Sequence, residues 1–172
     1  PSFFAKDNAC TLDSTERMGE HARAVVVVEP DVDEATLADM HARGARGVRL
    51  QRVVAGGTST EQIAEMASRI RDFGWHLQLF VDSDDVEELA EQLHRLPVPV
   101  VFDHMAHVYK ESPISSRGFR TLLDLLASGK AWVKLSAWRF SPDNARARQL
   151  VDANPERVLW GSDWPHVSYE ED

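Results

Sequence analysis

The side chains able to do chemistry in this sequence gather at the ends of its apolar runs. The run 24–28 leads into Glu29, 47–50 carries Arg49 and leads into Gln51, and 76–81 leads into Asp82. The run 98–102 leads into Asp103 and His104, 132–135 into Ser136 and then Arg139, and 157–160 into Ser162 and Asp163. Carboxylates and imidazoles are the side chains of proton transfer and metal ligation, and guanidinium groups bind oxyanions. Loops after strands are solvated and carry polar residues in any protein. What marks a candidate site is the coincidence of an Asp, a His and two Arg at one set of strand ends. Parallel α/β folds bind their ligands there.

His104 and His107 are three residues apart. That spacing suits one helical face and hence a metal pair. The alternative is that His104 ends a strand and points into the site while His107 lies on the loop. His21, His41 and His94 lie on polar helical stretches and are expected at the surface. His76 opens a strand at the end away from the site and is expected to be structural. Trp75, Trp132 and Trp160 read as core or barrel-wall residues. Trp138 and Trp164 follow strand ends, where they would line a pocket or pack under loops.

Several function classes are disfavoured. No G-x-G-x-x-G follows a strand, Gly56 and Gly57 stand alone, and neither a P-loop nor a G-x-S-x-G elbow occurs. The formal net charge of -9 repels phosphate backbones, so nucleic acid is not an expected partner. Cys10 is the sole cysteine, so no internal disulfide forms and a reducing compartment fits. No apolar stretch reaches the roughly 20 residues of a membrane span, and the first residues lack a signal-peptide pattern. A cytoplasmic protein is expected.

The elements that must position these residues alternate along all 172 residues. The apolar runs are rich in Val, Leu and aromatics, as strands buried on both faces are. Between them lie amphipathic stretches. One runs from Asp31 through Leu37 and Met40 to Gly44. Another has Thr58 or Ser59 as cap, Ile63, Met66, Ala67 and Ile70 on one face, and Gly74 as terminator. Ser83 caps a third with Val86, Leu89 and Leu93. Ser115 or Ser116 opens a fourth with Phe119, Leu122 and Leu126, ended by Gly129, and Ser141-Pro142 starts a fifth. Alternating strands and helices make parallel βαβ units in one domain, 1–172. Periodicity alone permits an open doubly wound sheet or a closed barrel.

The strand-end motifs add a resemblance. Arg157-Val-Leu-Trp-Gly-Ser-Asp-Trp-Pro-His166 resembles the last-strand signature of the amidohydrolase-related family. Val101-Phe-Asp-His104-Met-Ala, Trp132-Val-Lys-Leu-Ser136 and Gly44-Ala-Arg-Gly-Val-Arg49 resemble its sixth, seventh and fourth strands. Asp7 to Asp13 resembles a helix of the 2-pyrone-4,6-dicarboxylate lactonase group. The resemblance runs through the whole chain in order. It implies a parallel (β/α)8 TIM-like barrel, incomplete, with about six of eight βα units. It further implies a hydrolase of cyclic esters or related carboxylated small molecules. On that resemblance Asp163 is the acid–base that activates water, and His104 polarises the carbonyl or binds metal. Arg49 and Arg139 grip substrate carboxylates, with Ser136 and His107 also in the site. An aspartate at its ordinary pKa is a weak base, so a pocket must strengthen it or a cation acidify the water.

Three departures modify that expectation. His107 and Ala55 stand where the dicarboxylate lactonases carry Arg, and Phe80 where they favour Tyr. Fewer guanidinium groups point to a smaller or less charged carboxylate substrate. The family's opening His-x-His is absent, so a fragment lacking two strands and the final helix is expected, inactive by itself. A divalent metal, Zn or Mn, is the cofactor to test. The alternative readings are a metal-dependent decarboxylase of the same superfamily and a truncated, non-catalytic pseudo-enzyme. The sequence leaves the oligomeric state open.

Overall fold

A computed structural model of the protein describes residues 4–52, 60–107, 114–136 and 144–164. The apolar runs form strands β1 Ala24–Val26, β2 Ala45–Gln51, β3 His76–Phe80, β4 Val100–Phe102, β5 Ala131–Leu135 and β6 Val158–Trp160. They make a single sheet in the order β1-β2-β3-β4-β5-β6, every neighbouring pair parallel. Sequential order with a helical crossover at each step is the pattern of a (β/α) barrel wall, and the expected incomplete barrel is what the chain forms.

The register divides the sheet into two faces. Val48, Leu50, Leu77, Leu79, Val100, Phe102 and Val133 share one hydrophobic core with helix residues Ile63, Met66, Val86, Leu89, Phe119 and Leu122. The alternate positions point the other way. There Gly47 pairs with His76, Arg49 with Gln78, and Gln78 with Val101, which pairs with Trp132. Arg49 on β2 reaches Asp103 beyond β4, and Lys134 on β5 reaches Gln78 on β3. Side chains two strands apart meet in this way when the sheet curls around them. The inner face is therefore polar and the outer face apolar.

Helix ends follow local chemistry. Asp33 caps Glu34–Ala42, its side chain accepting from the Thr36 N–H at 2.6 Å. This helix starts three residues after the expected Asp31, because Asp33 is the carboxylate placed to reach an unpaired first-turn N–H. Asp82, rather than Ser83, caps Ser83–Arg95. It forms a reciprocal box with Asp85, which accepts from the Asp82 N–H at 3.1 Å. Ser116 caps Arg117–Ala127 as expected, accepting from Phe119 N–H at 3.3 Å. The helix Ser83–Arg95 packs tightly on Arg117–Ala127. A Cβ on Gly118 would fall 1.9 Å from the Ser83 carbonyl oxygen. The caps expected at Thr58, Ser59 and Ser141 lie outside the described residues.

Two tryptophan and histidine expectations need correction. Trp160 is 82% exposed, because β6 has a strand on one side only among the described residues. His41, expected at the surface, is half-buried. Its ring stacks on Trp75, and its Nδ1 accepts from the Trp75 indole N–H at 2.8 Å. Trp75 itself is fully buried, as expected. Trp164 is exposed rather than packed under a loop. No helix among the described residues is long and apolar enough to cross a membrane.

Candidate active site

The carboxyl ends of β2 to β6 converge on one polar cluster. β4 ends in Asp103, whose N–H donates to the Leu79 carbonyl of β3 at 2.9 Å. The chain then turns through His104, Met105, Ala106 and His107 with φ of 49°, 54°, 53° and 46°. Four successive non-glycine residues in the left-handed region cost about 1–2 kcal/mol each. The turn is held by the Ala106 N–H to Asp103 carbonyl bond of 2.9 Å and by burial of Met105, Ala106 and His107. The two histidines therefore do not share a helical face, one of the two arrangements their spacing allowed. The left-handed turn instead brings their ring centroids to 5.6 Å.

His104 is held at one ring nitrogen and faces a carboxylate with the other. Its Nδ1 lies 2.8 Å from Ser136 Oγ, beyond β5, and its Nε2 lies 3.6 Å from Asp163 Oδ1, beyond β6. Asp163 also has a left-handed backbone, with φ of 57°. Burial holds the His104 pKa below the ordinary histidine value. Asp103 and Asp163 pull it back up, and Arg49 and Lys134 push it further down. The ring is accordingly neutral at pH 7.

His107 lies in the turn after β4 with its side chain buried. Its ring is buried edge-on to Phe80 at 4.3 Å, with Nδ1 3.7 Å from Asp82 Oδ1. Burial first, then neighbouring His104, lowers its pKa to about 4. Phe80 also meets His104 edge-on at 5.5 Å and carries the Arg49 guanidinium on its face at 4.6 Å. One aromatic ring thus spaces three candidate residues.

Arg49, His104, His107, Ser136 and Asp163 are brought together. Arg139 and Trp138 lie outside the described residues. Two members of the cluster, Lys134 and Gln78, are not marked by the strand-end pattern, and Asp103, which is, carries no role on that pattern. Asp103 accepts from Arg49 Nε at 2.9 Å and Gln78 Nε2 at 2.8 Å, and pairs with Lys134 Nζ at 3.0 Å. The signal was available. Gln78 and Lys134 are polar residues inside apolar strands, at positions whose parity places them with Arg49 on the inner face.

A divalent ion takes four or more ligands. Among the described residues no group of three His, Cys, Asp or Glu side chains is placed to hold a metal ion. His104 Nε2 and Asp163 Oδ1 are two converging donors, so the described residues do not by themselves complete a metal site.

The chain has clear relatives. It is 34% identical over 180 residues to a 4-sulfomuconolactone hydrolase of Hydrogenophaga intermedia, covering 98% of this chain and 59% of that protein. A protein of Pseudomonas putida described as a 2-pyrone-4,6-dicarboxylic acid hydrolase superposes with a TM-score of 0.82 at 36% identity. That match covers 96% of this chain and 65% of the other. A similarly described protein of Acinetobacter baumannii, solved with citric acid bound, gives 0.81 at 25% identity, over 98% of this chain and 67% of that one. The chain thus spans about 59% of the length of its curated relative. The amidohydrolase family model matches residues 1–172. With the strand-end cluster at the expected pole of a parallel barrel wall, this chain belongs to the amidohydrolase family.

Proposed function

We propose that the whole protein is a hydrolase that opens a carboxylated lactone, and that this chain supplies its general base, its carbonyl-polarising group and an anion-binding arginine. The observation that carries the reading is the facing pair His104 Nε2 and Asp163 Oδ1 at 3.6 Å, with Arg49 in the same cluster. The relatives support the substrate class, since both sulfomuconolactone and the pyrone dicarboxylate are cyclic esters bearing acid groups.

Asp163 takes a proton from water as the water oxygen attacks the lactone carbonyl carbon. Neutral His104, with Nδ1 accepting from the Ser136 hydroxyl, presents an Nε2–H to the carbonyl oxygen as negative charge builds on it. The tetrahedral adduct collapses, the ring C–O bond breaks, and Asp163 returns the proton to the leaving oxygen. The product is an open-chain acid with one new carboxylate. Arg49, and Arg139 beyond the described residues, hold the substrate's own carboxylate. His107 is uncharged at pH 7, so it adds a buried polar edge rather than a third cation. That favours a substrate with fewer negative charges than a dicarboxylate.

The test is the full-length protein assayed against a lactone panel that includes both relatives' substrates, monocarboxylated lactones and a neutral lactone. Ring opening of a carboxylated lactone, fastest with one acid group, is expected. Release of CO₂ without ring opening would overturn the reading.

A further inference from the structure

Four strands meet on one carboxylate. Asp103 is only 3% exposed and stands at the end of β4. Its Oδ2 accepts from Arg49 Nε of β2 and Gln78 Nε2 of β3, at 2.9 and 2.8 Å, and its Oδ1 faces Lys134 Nζ of β5 at 3.0 Å. Lys134 closes the ring by donating to Gln78 Oε1 at 2.7 Å. Burial by itself would raise the Asp103 pKa, but Lys134 and Arg49 outweigh it and hold the group below the usual carboxylate range. The acid is charged and fully engaged.

Arg49 is the group whose freedom this removes. Its Nε is tied to Asp103, and its guanidinium plane rests on Phe80 at 4.6 Å. An arginine side chain loses rotamer freedom when fixed, and a binding site that has already fixed it binds its anion more tightly. We infer that Asp103 is a positioning residue for anion recognition, tethering Arg49 through Nε so that its fork is aimed at the substrate carboxylate before substrate arrives. The inference rests on Arg49 being the carboxylate-binding residue of the proposed function.

The experiment uses the full-length protein and citrate as a probe that needs no turnover, with lactone kinetics alongside. Asp103→Asn, Arg49→Lys and the double variant are compared by calorimetry. Asp103→Asn should weaken citrate binding about tenfold and raise KM for a carboxylated lactone similarly, with kcat within about threefold. The two losses should not add: in the Arg49→Lys background, Asp103→Asn should change affinity less than about twofold. Additive losses, or a fall in kcat at constant KM, would overturn the inference. If Asp103→Asn fails to fold, Gln78→Leu serves instead. It removes one donor from the same carboxylate and should weaken citrate about threefold, again only while Arg49 is present. Coupled loss of citrate binding without any lactone turnover would sink the proposed reaction and leave the tether standing. A wild-type protein that does not bind citrate would remove the tether's role.

Discussion

His104 Nε2 and Asp163 Oδ1 stand 3.6 Å apart, too far for a hydrogen bond and close enough to contact the same small group. The two residues come from β4 and β6, with Ser136 of the intervening strand bonded to the other nitrogen of the ring. The imidazole is therefore oriented from behind and left open in front. The aspartate, 27% exposed, retains access to water.

Asp163→Asn tests the base. A general base contributes about 10²–10⁴ to rate. Turnover of the full-length enzyme should fall by that range while its thermal midpoint changes little, because the side chain is partly exposed and does not sit in the core. Activity surviving the change would remove Asp163 from the mechanism.

Ser136→Ala tests how His104 is held. Losing the 2.8 Å bond at Nδ1 removes the constraint on which nitrogen carries the proton. A net hydrogen bond is worth about 1 kcal/mol, so kcat/KM should fall about five- to tenfold. Nitrogen NMR of the ring should show a mixture of tautomers where the native protein shows one.

The pH dependence has a defined sign. His104 and His107 both have pKa values below the ordinary 6.5, His107 at about 4, and burial is the leading cause for each. Their contribution to stability is fully present above the unfolded-state pKa and is lost as pH falls from there through the folded-state value. For His107 the loss is on the order of 3 kcal/mol at most. Asp82 acts oppositely, since burial and then Asp85 and Asp84 raise its pKa, so its part of the balance improves as pH falls. Denaturant unfolding at pH 7, 5 and 4 should show a net decline. His107→Gln should flatten it, and an unchanged slope in that variant would contradict the assignment.

Gly118→Ala tests the helix contact. The new Cβ would meet the Ser83 backbone carbonyl oxygen at 1.9 Å, a clash no side-chain rotation relieves, so the two helices must separate. Overpacking of this kind costs about 1–3 kcal/mol, and the denaturant midpoint should drop accordingly. Gly74→Ala, with nothing within 4 Å but a φ of +67°, should cost only the smaller backbone penalty.

Strand ends were legible because a buried parallel strand is apolar throughout and the first polar residue marks where it leaves the sheet. His104, Ser136 and Asp163 were named as candidates in that way, and Arg49 was named although β2 continues past it to Gln51. The network around Asp103 was not, because Gln78 and Lys134 sit inside their strands, and only the register shows that they share the concave face. The partial burial of His41 was missed because helical periodicity does not reveal the indole N–H of Trp75, just before β3, that needs an acceptor. The left-handed path of residues 104–107 has no glycine to announce it. Trp160 was expected inside because an apolar strand residue carries no mark of whether a neighbour covers it.

The sheet's neighbours in space are its neighbours in synthesis. Each strand from β2 to β6 pairs with the one made just before it. A growing chain can therefore add one βα unit at a time, with no strand waiting for a distant mate. Asp163 follows the last of these strands, so the proposed base is synthesised after the imidazole, its serine and the arginine tether.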